Sequence, residues 1–169
     1  MYCLGIESTA HTFGVGVVDG KGNVLANVKS SYVTEKGGIN PSEAKEHHEN
    51  VKDKIVEEVF QEAGLNVSEV GLIAFSQGPG LPPCLAVGKN KAVELAKSNK
   101  IPIVGVNHCI AHLEIGKLKT DAKDPVLLYA SGANTQIIGF ENNKYRVFGE
   151  TLDNGVGNFI DGFARHVGL

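Results

Sequence analysis

The chain contains no tryptophan, and its aromatic share is only 7%. A stacking platform for single-stranded nucleic acid is therefore disfavoured, because such surfaces present several aromatic rings in succession. Only three cysteines occur, Cys3, Cys84 and Cys109, and no C-x-x-C spacing joins any of them. That excludes a disulfide framework and a cysteine-based zinc ribbon. Each cysteine has apolar neighbours and reads as a buried small hydrophobe, which suits a reducing, cytoplasmic location. No apolar run reaches the ~20 residues of a membrane span. The opening Met1-Tyr-Cys-Leu-Gly-Ile-Glu-Ser-Thr has no basic stretch ahead of its apolar part, so neither a signal peptide nor a membrane partner is expected. A large excess of one charge sign is missing too. The 16 Lys+Arg and 19 Asp+Glu leave a net charge of −3, with no basic stripe, so this chain alone is a poor ligand for a polyanion.

What is present is an ordinary globular composition, 42% hydrophobic and 21% charged over 169 residues. That length holds one domain, or one and a fraction. Glycine is in excess, at 21 residues, without a collagen triplet, which points to turns where backbone approaches backbone or ligand. Apolar and β-branched runs predict strands at about 2–6, 13–18 and 24–33, the last two joined across Asp19-Gly20-Lys21-Gly22-Asn23. Pro41 to Ala63 reads as a helix with Val51, Ile55 and Val59 on one face, closed by Gly64. A strand over 71–76, a helix over 84–98, a strand over 102–106 and a short helix from Asn107 follow. After the polar stretch 119–124 the pattern begins again, with strands at 125–129, 134–140 and 144–149 and a helix over 157–167. The fold class is α/β, one complete unit over 1–120 and the start of a second over 121–169.

The restart is an internal repeat. At a constant offset of 123, Leu4-Gly-Ile-Glu-Ser-Thr-Ala-His-Thr aligns with Leu127-Leu-Tyr-Ala-Ser-Gly-Ala-Asn-Thr. Each copy is an apolar strand, a tight turn of small residues and a second strand. Turns of this kind expose consecutive backbone N–H groups that bind phosphate oxygens. The repeat predicts a nucleotide held between two hairpins; weak anion binding by one hairpin is the lesser alternative.

His108 and His112 stand at i, i+4 in Asn-His-Cys-Ile-Ala-His, on one helical face, where they either chelate one cation or are ordinary surface or core histidines. Their position just after the 102–106 strand favours a site, since ligands bind beyond the carboxyl ends of strands in open α/β sheets. Tyr129, at the end of the repeated strand, is a candidate third ligand. The absence of a glutamate next to the first histidine disfavours a zincin-type protease. His47 and His48, among Glu43, Glu46 and Glu49, read as part of a solvated acidic helix face. The first turn adds a second tier, Glu7, Ser8, Thr9 and His11. Glu7 is costly to bury without a lysine, water or metal partner, and otherwise caps the turn.

These residues together resemble the Gcp/TsaD family of tRNA threonylcarbamoyl transferases, of the actin-like (ASKHA, ribonuclease-H-like) superfamily, in its archaeal style. The matching segments are Gly5-Ile-Glu-Ser-Thr-Ala-His-Thr; Gly37-Gly-Ile-Asn-Pro-Ser-Glu-Ala with His47-His48; Phe75-Ser-Gln-Gly-Pro-Gly-Leu; Gly105-Val-Asn-His-Cys-Ile-Ala-His-Leu-Glu-Ile-Gly; Tyr129-Ala-Ser-Gly-Ala-Asn-Thr-Gln; and Phe148-Gly-Glu-Thr-Leu-Asp. The resemblance implies transfer of threonylcarbamoyl from threonylcarbamoyl-AMP to N6 of adenosine 37 of tRNA. It implies one divalent metal ion (Fe, Zn or Mg) on His108, His112 and Tyr129. It also implies contacts from Tyr129, Ala130, Ser131, Gly132, Ala133, Asn134 and Asp161 to that adenylate or another adenine nucleotide. Its implied partners are tRNA, reached through a complex, and KEOPS-type subunits including an atypical kinase and a small dimeric subunit.

Ala133 stands where most archaeal members have glycine, which is costly if that position needs a positive φ. Ala86 stands where members usually have arginine. Family members also continue into the rest of the second unit, so a separate C-terminal half is a further expected partner. Two readings follow: a catalytic portion active with that half, and a non-catalytic paralogue or truncated subunit serving as a scaffold in a KEOPS-like complex. A generic sugar or acyl kinase is a weaker third.

Overall fold

The computed structural model describes residues 1–34 and 38–168; Gly37 of the second matching segment lies outside the described residues. The chain divides into two compact units, Met1–His108 and Cys109–Leu169.

In the first unit, alternation builds the sheet. Along β1 (Tyr2–Glu7) and β2 (Thr12–Asp19), Leu4, Ile6, Phe13, Val15 and Val17 are buried at every second position, as a pleated strand with one core face requires. β2 returns through Asp19, whose carboxylate accepts from the N–H groups of Lys21 and Asn23 at 2.8 and 2.9 Å, and continues into β3 (Val24–Ser31). β4 (Val70–Gly78) and β5 (Ile103–Asn107) complete a five-stranded sheet of order β3-β2-β1-β4-β5. β1 pairs antiparallel with β2 and parallel with β4, and β4 pairs parallel with β5. The carboxyl ends of β1, β4 and β5 thus lie at one edge.

Two helices supply the rest of this core. α1 (Pro41–Ala63) starts where the Asn40 side chain accepts from the Ser42 N–H, with Pro41 at its first position, and closes at Gly64 with φ 64°, the left-handed cap that glycine adopts without a Cβ penalty. α2 (Pro82–Asn99) ends at Lys100. Ile55, Val56 and Val59 of α1 and Val87, Ala92 and Ala96 of α2 share one cluster with the β1 and β2 side chains. The buried Lys91 ties α2 to α1 through Asp53 at 2.7 Å.

One sequence-based expectation fails here. His48 is not on a solvated face: it is fully buried, in the same stripe as Ala44, Ile55 and Val59. Glu46 and Glu49 lie close to it in sequence but are exposed, because helical spacing turns them to the other side and puts position 48 one turn from Ala44. His47 is half-buried, with Nε2 3.1 Å from the Ser30 hydroxyl. Of the cysteines, Cys84 and Cys109 are buried and Cys3 is half-buried.

The second unit is organised by a meander. β6 (Leu127–Ala130), β7 (Thr135–Glu141) and β8 (Lys144–Glu150) form an antiparallel sheet of order β6-β7-β8. The β7–β8 turn is made by Asn142 and Asn143, with φ of 49° and 62°, the two-residue geometry that asparagine tolerates well. α3 (His108–Lys119) contributes Cys109 and Leu113 to a small core with Ile138, Leu127, Tyr129 and Tyr145. That packing groups α3 with the second unit, whereas the sequence division near residue 120 groups it with the first. α4 (Val156–Val167) follows. Both units therefore run strand, strand, strand, helix from their repeated segments.

Burial pushes the His48 imidazole pKa down, helped by the His47 charge and opposed by the His11 backbone and Glu7. Apart from the His11 backbone contact, neither ring nitrogen makes a well-formed hydrogen bond among the described residues, and the ring packs edge-on against Phe13 at 5.6 Å. The unfolded chain binds that proton more readily than the folded one. Its contribution is thus intact above the ordinary histidine pKa of about 6.5 and is lost as pH falls below it. Urea unfolding at pH 7.5, 6.5 and 5.5 is expected to show wild type losing more stability on acidification than His48→Leu, by up to ~1.4 kcal/mol per pH unit. Parallel slopes would contradict the buried neutral histidine.

Candidate functional site

The first unit's contribution starts from the end of β1. Glu7 is its last residue, and the chain then turns through Ser8–His11 into β2. Ser8 is fully buried; its N–H donates to the Ser76 hydroxyl at 3.0 Å, and that hydroxyl donates to the Ile6 carbonyl at 3.4 Å. Thr9 is also buried, and its carbonyl accepts from the Leu81 N–H at 2.7 Å. His11 is exposed, with its carbonyl accepting from the Tyr32 N–H at 2.8 Å. The turn is therefore clamped to β4 and to the residue before α2.

This clamp fixes Glu7. The Thr9 N–H donates to Oε1 at 2.7 Å, and the Thr9 hydroxyl donates to the same oxygen. The other oxygen, Oε2, lies 3.2 Å from Nδ1 of His108, a residue 101 positions later in the chain. His108 follows β5 directly, so the two side chains meet because β1 and β5 end at the same edge, with only β4 between them. Burial works against ionisation of Glu7, but the hydrogen bonds from His108 and Thr9 together outweigh it and hold the carboxyl below its ordinary pKa. The Glu7 side chain remains 41% exposed and that of His108 15%.

In the second unit, Tyr129 sits on β6 opposite Gln136. Its ring lies 5.7 Å from that of His112, the exposed histidine one turn along α3 from His108. The turn after β6 is held by its own side chain: the Ser131 hydroxyl donates to the Asn134 carbonyl at 2.7 Å, and the Asn134 N–H donates to that hydroxyl at 3.2 Å. α4 docks its first turn onto it. The N–H groups of Gly157 and Asn158 donate to the carbonyls of Ser131 and Gly132 at 3.0 and 3.1 Å. A Cβ on Gly157 would fall 2.8 Å from the Gly132 Cα, so glycine is what permits the approach. Gly132 and Ala133 are both exposed, and the hydrogen bonds that close the turn are made by Ser131 and Asn134 on either side of them. Ala133 lies outside the left-handed region, so its Cβ carries no backbone strain there. Asp161 is exposed on α4, and Ala130 is exposed at the end of β6.

The structure thus brings together Glu7, Thr9 and His108 in one unit, and His112 with Tyr129, and Ser131–Asn134 with the start of α4, in the other. Among the described residues, no three His, Cys, Asp or Glu side chains gather as a metal set. Sequence reasoning did not foresee the pairing of Glu7 with His108. Only the placement of both at strand ends could have suggested it.

The family model for TsaD, tRNA N6-adenosine threonylcarbamoyltransferase, matches residues 23–169. The chain belongs to the TsaD family. It is 56% identical over its full length to the tRNA N6-adenosine threonylcarbamoyltransferase of Thermococcus sibiricus, covering 52% of that protein. It is 53% identical to the one from Thermofilum pendens over 98% of this chain and 49% of that protein. Against a probable bifunctional tRNA threonylcarbamoyladenosine biosynthesis protein of Methanothermobacter thermautotrophicus it is 55% identical over its full length, covering 32% of the relative. This TsaD-family chain therefore spans about half the length of the transferases it matches, or a third of the bifunctional protein, and corresponds to the N-terminal part of the former. Among solved structures it is similar to YeaZ from Pseudomonas aeruginosa, with a TM-score of 0.62 at 16% identity over 89% of this chain and 68% of that one. It is also similar to the ethanolamine utilization protein EutJ from Carboxydothermus hydrogenoformans, with a TM-score of 0.59 at 14% identity over 99% and 57%. The fold is the actin-like α/β fold that the resemblance implied. Among the described residues no helix is long and apolar enough to cross a membrane.

The Ser8 clamp is testable through α2. A Cβ on Gly88 would lie 2.1 Å from the Ser8 hydroxyl oxygen and 2.9 Å from its Cβ, closer than a packed interior allows. Gly88→Ala is expected to destabilise the protein by about 1–3 kcal/mol. Ser8→Gly in the same chain is expected to recover part of that loss, read as the urea midpoint. Additive losses in the double variant would show that the two residues do not share this contact.

Proposed function

We propose that the chain is the N-terminal portion of a tRNA threonylcarbamoyl transferase, with a metal held by His108 and His112 of α3 together with Tyr129. The observation that carries the reading is the state of the α3 start. His108 follows the parallel strand β5 and is already engaged through Nδ1 by Glu7, the arrangement of a ligating histidine with an outer carboxylate. Two imidazoles and a phenol suit Zn or Fe better than Mg, which prefers an all-oxygen shell. When bound, such an ion supplies a Lewis acid for the carbamoyl or phosphate oxygens.

The remaining roles fall to this chain's own groups. The N–H groups of Gly132 and Ala133 donate to the adenylate phosphate, within the segment Tyr129–Asn134, and Asp161 accepts from the adenylate. The threonylcarbamoyl carbon is attacked by N6 of adenosine 37 of tRNA, the bond to the AMP phosphate oxygen breaks to release AMP, and the N6 proton passes to solvent. No protein nucleophile is required. Because the chain spans half of its relatives, activity belongs to this portion together with a C-terminal half. The net charge of −3 leaves the cationic surface for tRNA to KEOPS-type partners in the cytoplasm, among them an atypical kinase and a small dimeric subunit.

A scaffold reading draws support from α4, which exposes Phe159, Ile160 and Phe163 at 66, 57 and 61%, an apolar face suited to a protein partner. The two readings separate by ligand binding. Calorimetry with Zn²⁺ and with threonylcarbamoyl-adenylate, on this chain with and without a C-terminal half, is expected to give one metal per chain. His108→Ala and His112→Ala are each expected to weaken it at least tenfold. Absence of both metal and adenylate binding in the reconstituted pair would favour the scaffold.

A further inference from the structure

We propose that Glu7 is the positioning residue for His108: its carboxylate holds the proton on Nδ1 and so turns the Nε2 lone pair toward the metal. The inference rests on the metal reading above and assigns a role to a residue outside the ligand set. Its basis is the hydrogen-bond arithmetic around one carboxylate. Oε1 accepts twice from Thr9, through the backbone N–H and the hydroxyl, and Oε2 faces Nδ1 of His108 at 3.2 Å. A carboxylate oxygen accepts and does not donate, so Nδ1 must be the donor. A ring whose single proton is on Nδ1 presents its lone pair at Nε2, the nitrogen through which it would ligate.

The carboxylate is itself held. Thr9 is buried and its carbonyl takes the Leu81 N–H at 2.7 Å, while the preceding Ser8 is bound to Ser76. The chain therefore fixes, in order, the turn, the carboxylate and the imidazole tautomer, all within the first unit. Outer partners of this kind contribute about 10–100-fold to metal affinity.

Glutamine at position 7 gives the sharpest test, because it has one acceptor and one donor where glutamate has two acceptors. Two donors come from Thr9 and one from His108, so the Gln oxygen is expected to stay with Thr9. Its NH₂ then faces Nδ1, which must become the acceptor, and the proton moves to Nε2. Long-range ¹H–¹⁵N spectra of the metal-free chain, with His108→Ala assigning the ring, are expected to report Nδ1–H in wild type and Nε2–H in Glu7→Gln. Co²⁺ affinity, followed by its visible absorption, is expected to fall about 10–100-fold in Glu7→Gln and Glu7→Ala, with the metal-free melting temperature of Glu7→Gln unchanged. An Nε2–H tautomer in the wild type overturns the proposal whatever the variants do. Co²⁺ binding retained within twofold in Glu7→Gln but lost in His108→Ala overturns the Glu7 role alone. Equal Co²⁺ binding by wild type and His108→Ala overturns the metal reading and the proposal with it.

Discussion

The first unit depends on β1 being an interior strand that changes pairing mode across its width. On one side it runs antiparallel to β2, on the other parallel to β4. The antiparallel side permits a short return, so the chain leaving Glu7 turns within Ser8–His11. The parallel side brings the ends of β4 and β5 to the same edge, because parallel strands joined through helices all finish at one end of the sheet. A short turn and two later strand ends are thus forced into proximity by hydrogen-bond topology alone. The clamp on Ser8 and Thr9 and the meeting of Glu7 with His108 follow from that placement.

The repeated hairpins have diverged in a way that divides labour between them. At the 123-residue offset Glu7 corresponds to Ala130 and Ser8 to Ser131. In the first copy the N–H groups of Ser8 and Thr9 are engaged internally, by Ser76 and Glu7, and both residues are buried. In the second, Ser131 closes its own turn and leaves Gly132 and Ala133 exposed. Pairing differs as well: Leu4 faces Val17, whereas its counterpart Leu127 faces Ile138, two residues out of step with the first copy. A shift of two keeps every side chain on its original face, so the core pattern survives while the turn changes shape. The first turn supports a side chain, whereas the second is closed by its own serine and leaves its two central residues exposed.

Much of this was legible in the sequence because periodicity and punctuation are local. Asn40-Pro41 and Gly64 bracket α1 as the capping rules expect, and the alternation through Leu4, Ile6, Phe13, Val15 and Val17 marks a one-sided sheet. His108 and His112 stood out because helical spacing is itself local. What escaped was set by packing between distant segments. His48 lies among glutamates in sequence, and only its phase relative to Ala44, Ile55 and Val59 tells that it turns inward. Cys109 and Leu113 look like the tail of the first unit until Ile138 is seen to bury them. The Glu7–His108 contact joins residues 101 positions apart, a separation that no local pattern encodes.

The burial of His48 and the exposure of Glu7 illustrate opposite solutions to the cost of a polar side chain near a core. His48 makes no well-formed hydrogen bond among the described residues, so burial favours its neutral ring, and its aromatic body packs against Phe13 as a hydrophobe would. Glu7 keeps part of its surface in water and collects donors from Thr9 and His108, which makes the ionised form the favoured one. Fully buried, Glu7 would lose its charge and with it the acceptor that holds Nδ1–H. Fully exposed, it would lose the fixed geometry that Thr9 imposes. Its intermediate burial is therefore the condition under which a strand-end carboxylate can both stay ionised and aim at a single imidazole nitrogen.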